Sequence, residues 1–457
     1  MSFVEKENIK AVAHIKRLLE YITLEPGFYD KYLKDPYATI KEVGLDVDPD
    51  SINFEYVGEG CNRYMVAKTP GSDAEKYANF VNKKIDMRED LKKECIPSNP
   101  AIKKWRDRQV GRCNMELGAK VIGIIHSTFT LELSDGCSVG CEFCGLNAGK
   151  LKSVCRYTEE NAQLFRGILT AAKETIGDAA GCGTMYFASE PLDNPDYELF
   201  LKDYREILGR LPQITTATAM RHTDRMHKLL EELNEYGDHI YRFSVLSLDM
   251  FHEIVKEFTP EELVLVELLP QYTEAPSNHF SKVGRNASDD GDGDTISCVS
   301  GFVVNMSRKE LRLVTPTAAD AEHPTGEHIL YRGNFTDIES FREMLNMCVR
   351  KYMDVVIGPK DEIKLRKNVT YDKLDGEYEI RCDKGMSYKI AQVAKEAPID
   401  ILGEVFSALE AGYSTRRDIV NGIAKKSGGL FLQTDYIFHI LNKMWSMGVI
   451  ETKSGVL

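Results

Sequence analysis

Apolar positions recur at helical spacing through the start of the chain: Ile9, Val12, Ile15, Leu18, Leu19 and Ile22, then Phe28, Tyr32 and Leu33. Asp35 followed by Pro36 predicts a capped helix start with proline at the first helical position, and Gly44 closes that helix. Leu-Asp-Val-Asp-Pro-Asp then reads as a turn into a short strand over Asn53 to Val57. From 58 to about 125 the pattern is mixed and charged, with one helix expected from Asn99-Pro100 to Glu116.

Between Lys120 and Pro316 strand-like runs alternate with helical stretches, the rhythm of a parallel sheet with crossover helices. The strands predicted are Thr128 to Leu133, Thr184 to Ala188, Ile214 to Ala219, Tyr241 to Leu246, Leu263 to Leu269 and Val299 to Asn305. Six strands fit an open, partial (β/α)6 barrel better than a closed one of eight. Beyond it, Asp337 to Met353 predicts a helix with Phe341, Met344, Leu345 and Cys348 on one face, and Val369 to Ile390 alternates as a hairpin lying over something. The last segment reads helix, helix, helix and a short strand, a winged-helix-like order. The α/β chain thus divides into 1–57 (helical), 58–119 (linking), 120–330 (barrel), 331–397 (helix and hairpin covering the barrel mouth) and 398–457 (winged-helix-like).

Composition narrows the function. At 457 residues the chain can bury a sizeable core, and 43% hydrophobic with 28% charged residues is ordinary for a soluble protein. A formal net charge of −13 argues against general nucleic-acid binding. In the winged-helix-like segment acids and bases are about balanced, which suits a peptide-binding or packing module at least as well as a DNA reader. No apolar run approaches the ~20 residues of a membrane span. Without a signal peptide, and with 11 scattered cysteines, disulfides are not expected and the cytoplasm is the expected location.

The chemistry concentrates in Cys137, Cys141 and Cys144, on a glycine-punctuated loop after the first predicted strand. Three thiolates in a C-x3-C-x2-C run suit an iron-sulfur cluster, and three ligands for four irons leave one iron open. A structural zinc ion would want a fourth Cys or His at matching spacing, whereas Cys155 and Cys182 stand alone. Ligands of open parallel sheets gather at the carboxyl ends of the strands, which is where this loop falls.

The motif, with aromatic Phe143 before its last cysteine, resembles the signature of the radical S-adenosylmethionine (radical SAM, AdoMet) superfamily. That resemblance implies a 4Fe-4S cluster whose open iron chelates AdoMet. It also implies that Ser189-Glu190, after the second strand, stands where the superfamily has a Gly-Gly-Glu-like motif, making Glu190 a contact of the AdoMet ammonium group. A surface glutamate starting a proline turn is the alternative. Thr216 and Thr218 on the third strand, Arg221 after it, and Ser244 and Ser247 around the fourth are further candidates for AdoMet, although short hydroxyl side chains also satisfy strand-end backbone.

Phe28-Tyr-Asp-Lys-Tyr-Leu-Lys-Asp-Pro, the cysteine loop, Ser189-Glu-Pro-Leu-Asp-Asn-Pro-Asp-Tyr, Ser300-Gly-Phe-Val-Val-Asn and His323-Pro-Thr-Gly-Glu together look like the proteusin-type radical AdoMet peptide epimerases. The resemblance implies conversion of L- to D-residues in a ribosomally made precursor peptide with a leader, and a reducing partner of flavodoxin or ferredoxin type. It implies a cysteine thiol, late in the chain, that returns hydrogen to the α-carbon radical. Cys382 is assigned this role because Cys298 begins its strand and Cys348 reads as buried, with Cys155 and Cys182 in reserve. The first segment also looks like a leader peptide and either mimics one or caps the barrel.

Ser288-Asp-Asp-Gly-Asp-Gly-Asp lacks EF-hand spacing and reads as a mobile acidic loop, and His323 and His328 flank a turn. Two other readings stand beside epimerisation. A thioether- or crosslink-forming radical AdoMet enzyme would carry further cysteine-rich clusters, and an iron-sulfur DNA-binding regulator conflicts with the acidic balance.

Overall fold

The structure, a computed structural model, describes residues 4–53, 66–67, 70–236, 239–278, 280–287, 294–353, 356–367, 369–382, 386–391, 399–428 and 431–453. The strand expected over Asn53 to Val57 lies mostly outside them, as do residues 288–293 of the acidic loop.

Helix α1 (Ile9–Leu24) buries the predicted stripe of Val12, Ile15, Leu18 and Ile22. Helices α2 (Phe28–Lys34) and α3 (Pro36–Glu42) follow, and the Asp35 carboxylate caps α3 by accepting from the Ala38 amide at 3.0 Å. After the two-residue ladder of β1 (Ile52–Asn53) and β2 (Val66–Ala67) comes α4 (Asp73–Glu94), and together these elements enclose a small core of Leu18, Ile22, Phe28, Tyr32, Ile40 and Ile52. This layer is docked as well as folded. Buried Arg17 donates to the carbonyls of Val255, Phe258 and Thr259, and the Tyr272 hydroxyl donates to the Leu24 carbonyl. Helix α5 (Pro100–Leu117) starts as expected, with the Asn99 side chain accepting from the Ala101 and Ile102 amides.

The central unit begins at β3 (Ser127–Glu132), continues through the small ladder of β4 (Ser134–Asp135) and β5 (Ser153–Val154), and then alternates. Its elements are α6 (Glu159–Ile176), α7 (Tyr197–Leu208), β6 (Thr215–Thr216), α8 (Thr223–Tyr236), β7 (Tyr241–Val245), α9 (Leu248–Glu257), β8 (Val266–Pro270), β9 (Val299–Asn305), β10 (Glu310–Pro316), β11 (Glu327–Asn334) and α10 (Ile338–Cys348). Strands β6, β7 and β8 run parallel, and β3 runs parallel to β9. Backbone bonds through Gly183 and Thr184 join the two sets: the Leu131 amide donates to the Thr184 carbonyl and the Gln213 amide to that of Gly183. Phe129 and Leu131 of β3 face α6 and α7, packing with Phe165, Leu169, Tyr197 and Phe200 in the main core.

Two expectations change here. Thr184 to Ala188 is no strand beyond a single bridge, because the Thr184 hydroxyl donates to the Tyr186 carbonyl at 2.6 Å and turns the chain. Val299 to Asn305 is a strand, but it lies beside the first strand rather than after the fifth. Gly301 allows this, since a β-carbon there would sit 2.1 Å from the Thr128 carbonyl oxygen. The sheet then continues antiparallel through β10 and β11, so its order is not that of a sequentially wound barrel.

The C-terminal unit holds β12 (Glu362–Leu365), the meander β13 (Val369–Leu374), β14 (Glu377–Cys382) and β15 (Ser387–Ala391), then α11 (Ile401–Glu410), β16 (Ser414–Thr415), α12 (Arg416–Lys426), α13 (Phe431–Ser446) and β17 (Ile450–Thr452). Strand β12 lies antiparallel between β16 and β17. The second core packs Ile363, Tyr378, Ile380 and Cys382 with Leu402, Val405, Phe406, Leu441 and Ile450. The hairpin expected over the barrel mouth packs its Tyr378, Ile380 and Cys382 into this second core. Helix α5 is the wall between the units, with Trp105 in the main core and Met115 in the second. Among the described residues no helix is long and apolar enough to cross a membrane.

Candidate active site

The cysteine loop leaves the carboxyl end of β3. Gly136 makes the bend possible: it has φ 88° and lies so close to the returning chain that a β-carbon would sit 2.2 Å from the Lys150 carbonyl oxygen. The loop is pinned by backbone bonds from the Cys137 amide to the Gly149 carbonyl (2.9 Å) and from the Asn147 amide to that of Cys144 (3.0 Å). Arg285 clamps its far side, its amide donating to the Cys144 carbonyl and its guanidinium to the carbonyls of Cys141 and Ala148. All three thiols are half-buried. Burial pushes Cys137 up to about 11; a Val139 backbone bond opposes this, and the nearby Glu190 and Asp193 carboxylates add to it. Burial and Cys144 push Cys141 up. Thiols held in this protonated state deprotonate when a cationic group binds them.

The second loop meets the first. The Ser138 amide donates to the Asp193 carboxylate at 2.9 Å, joining the cysteine loop to the turn that carries Ser189 and Glu190. Glu190 is 4% exposed, so it is not a surface residue, although it does start the proline turn Pro191–Asp193 as its cap. Its carboxylate accepts from the Thr216 hydroxyl (2.6 Å), the Ala217 amide (2.9 Å) and the Leu192 amide (3.2 Å), and Thr216 in turn meets the Thr218 hydroxyl at 3.3 Å. Burial holds the Glu190 carboxyl above the usual carboxylate range despite these donors, and no cation in the structure pairs with it among the described residues. The candidates Cys137, Cys141, Cys144, Glu190, Thr216 and Thr218 thus converge at the carboxyl ends of β3 and β6.

The remaining candidates divide. Ser189 is half-exposed beside Glu190, and Ser244 is half-exposed on β7. Arg221 is exposed on the short turn after Thr218. Ser247 is exposed and caps α9 by accepting from the Met250 amide at 3.1 Å, so its hydroxyl already has a structural task. Phe143 stacks on Phe280, with ring centroids 3.8 Å apart.

Cys382, the residue assigned as hydrogen donor, is not beside the cysteine loop in this structure. It is 5% exposed in the second core, its thiol 3.8 Å from the Asn114 carbonyl. Near Asn114 on α5, Arg112 and Glu116 bond Thr315, Pro316 and Thr317, at the end of β10 that runs beside the start of β9. Cys382 therefore lies toward the amino end of the parallel strands, away from the cysteine loop. Cys182 is at that end too, immediately before the Gly183 bridge, and Cys155 faces the main core, where burial raises it to about 11. Cys348 is fully buried in the same core. His323 and His328 flank a turn as expected, the Gly326 amide closing on the His323 carbonyl.

Sequence reasoning missed Glu132, Asp193 and Arg285. Glu132 is 1% exposed; it accepts from the Ala188 amide at 2.8 Å and from Arg312 at 3.1 Å, so it anchors the turn carrying Glu190. A carboxylate between Leu131 and Leu133 was the available signal. Arg285 had none, because its contacts are with carbonyls more than 130 positions away.

Among the described residues no group of three or more His, Cys, Asp or Glu side chains converges to hold one metal ion.

No family profile matches the sequence. A protein of Sinorhizobium fredii, known as uncharacterized protein y4wI, is 31% identical over an alignment of 464 positions, covering 97% of this chain and 88% of that protein. This chain belongs to the y4wI family. Among solved structures, the crystal structure of BtrN in complex with AdoMet and 2-DOIA aligns with 48% of this chain and 87% of that one, at 16% identity and a TM-score of 0.30. A likeness that low decides neither fold nor chemistry.

Proposed function

We propose that this protein is a radical AdoMet enzyme that converts L- to D-residues in a ribosomally made precursor peptide. One observation carries the reading: the three-thiol loop and the buried, cation-less Glu190 pocket are tied together at the carboxyl ends of parallel strands. Cys137, Cys141 and Cys144 would hold a 4Fe-4S cluster, which with bound AdoMet supplies a 5'-deoxyadenosyl radical able to take an α-hydrogen. Glu190 would offer its carboxylate to the AdoMet ammonium group, held by the Thr216 hydroxyl with Thr218 bonded to Thr216 behind it, and Ser189 and Ser244 would be further contacts. Arg285 and Glu132 position the two loops. The epimerase level of the reading rests on the resemblance in the cysteine, Ser189-to-Tyr197, Ser300-to-Asn305 and His323-to-Glu327 segments. It implies a precursor peptide with a leader and a flavodoxin- or ferredoxin-type reductant as partners. The hydrogen returned to the opposite face comes from a solvent-exchangeable group other than Cys382.

The test is anaerobic reconstitution followed by incubation with AdoMet, reductant and the precursor peptide in D2O. Expected are a paramagnetic cubane signal altered by AdoMet, one 5'-deoxyadenosine per event and deuterium at α-carbons. Replacing Cys141 with Ala abolishes all three. Loss of two hydrogens from the peptide would indicate crosslinking, and a cubane signal indifferent to AdoMet would end the radical reading.

A further inference from the structure

At the opposite, amino end of the sheet, Cys95 and Cys182 form a second sulfur pair that the proposed chemistry does not use. Cys95 closes α4, and Cys182 ends the turn before Gly183. The Cys95 thiol donates toward Cys182, 3.7 Å from its carbonyl oxygen. Arg210 places a guanidinium nitrogen 3.2 Å from the Cys182 sulfur while sharing its charge with Glu94 at 2.6 Å. A second guanidinium, Arg106, lies near both sulfurs, with its donors taken by the His126 and Ile125 carbonyls rather than by a carboxylate.

The surroundings separate the two thiols. Cys182 lines a cavity of ≈ 580 Å³ together with Lys93, Ser98, Arg210 and His239, whereas Cys95 is 0% exposed behind it. The Cys95 hydrogen bond and Arg210 draw Cys182 below the usual thiol range, while contact with Cys182 and burial push Cys95 well above it. By contrast, burial raises Cys113 to about 11 and Cys348 to about 12. A thiol on the cavity wall beside a guanidinium, with a second thiol buried behind it, is the arrangement of an attacking and a resolving cysteine.

We propose that Cys182 and Cys95 are a peroxide-reactive pair: Cys182 takes the oxidation and Cys95 resolves it to an intramolecular disulfide. The Cys182 thiolate attacks one peroxide oxygen, the O–O bond breaks, and hydroxide leaves and takes a proton to become water. The resulting sulfenic acid is attacked by the Cys95 sulfur, the S–O bond breaks, and the Cys95 proton leaves with the hydroxyl as a second water. Two thiols are oxidised and one peroxide is reduced to two waters. The bond joins the end of α4 to the turn entering the sheet, and the inference does not depend on the radical reading.

The test uses the full-length chain with Cys137, Cys141 and Cys144 replaced by Ala, so that the loop thiols cannot compete, with thermal unfolding recorded on each sample. After hydrogen peroxide and blocking of free thiols, non-reducing digestion should yield a Cys95–Cys182 linked peptide, lighter by two hydrogens and released by dithiothreitol. Cys95→Ser should accumulate a sulfenic acid at Cys182 that dimedone traps. Arg210→Met should slow alkylation of Cys182 at neutral pH about tenfold, with Arg210→Lys recovering part of the rate. Absence of the linked peptide, or a dimedone adduct on exposed Cys298 in place of Cys182, overturns the proposal.

Discussion

Two carboxylates at opposite ends of the same parallel strands have opposite electrostatics. Glu267, near the start of β8, accepts from Lys84 at 2.7 Å and Arg242 at 3.1 Å, and these cations outweigh burial to hold its carboxyl down at about 2. Glu190, at the carboxyl end, is more deeply buried yet has only hydroxyl and amide donors, and burial holds it above the usual range. Desolvating a carboxylate without a counter-charge costs stability that a purely structural residue has no reason to spend. Glu267 at the amino end is paired with two cations, whereas Glu190 at the carboxyl end has no cation partner among the described residues and lies beside the cysteine loop.

Glu267→Gln sharpens the comparison most. Its folded pKa of about 2 lies below the ordinary 4.5, so the carboxylate form is favoured by folding. Its contribution is fully present above pH 4.5 and lost as pH falls toward 2. The shift corresponds to about 3 kcal/mol. Denaturant unfolding of Glu267→Gln at pH 7 should show a loss of that order, and its stability should fall less than that of the parent between pH 4.5 and 2. An unchanged midpoint would mean that Lys84 and Arg242 leave Glu267 no better paired than Glu190.

Glu190→Gln acts at the carboxyl end and should cost less. The substitution keeps the side-chain length and removes the charge, so AdoMet binding to the reconstituted protein should weaken about tenfold, or about 1.4 kcal/mol. Bound iron should stay unchanged, because no thiol is touched. Equal affinity at equal iron content would remove Glu190 from the AdoMet pocket and break the contrast at its centre.

Legibility followed the locality of the physics. The α1 stripe, the Asp35 and Asn99 caps and the cysteine loop are set by neighbours within a few positions, and each is where the residues place it. The Glu190 turn was legible through its place after a strand, although that strand shrinks to one bridge. Helix α4 was not legible, because it buries only Ala74 and Phe80 and exposes charge along the rest of its length. The order of β9 beside β3 depends on two segments of the chain approaching at Gly301, across more than 160 positions, and no local pattern encodes it. The alternation around Cys382 was read correctly as a strand, but alternation says which residues share a face and nothing about which core that face meets.

Cys382→Ala gives the smallest effect and separates the two ends most directly. Because this thiol sits with Ile380 and Val369 in the C-terminal core, removing its sulfur should leave a small void and cost about 1 kcal/mol in unfolding free energy. A hydrogen donor would show a different signature, with AdoMet cleavage intact but inversion of the peptide residue lost. Measured side by side in D2O, the variant should form 5'-deoxyadenosine and α-deuterated D-residues at the parent ratio while unfolding at slightly lower denaturant. Lost deuteration with intact cleavage would mean that the second core opens onto the cysteine loop during turnover, and the separation of the two ends argued from α5 and β10 would fail with it.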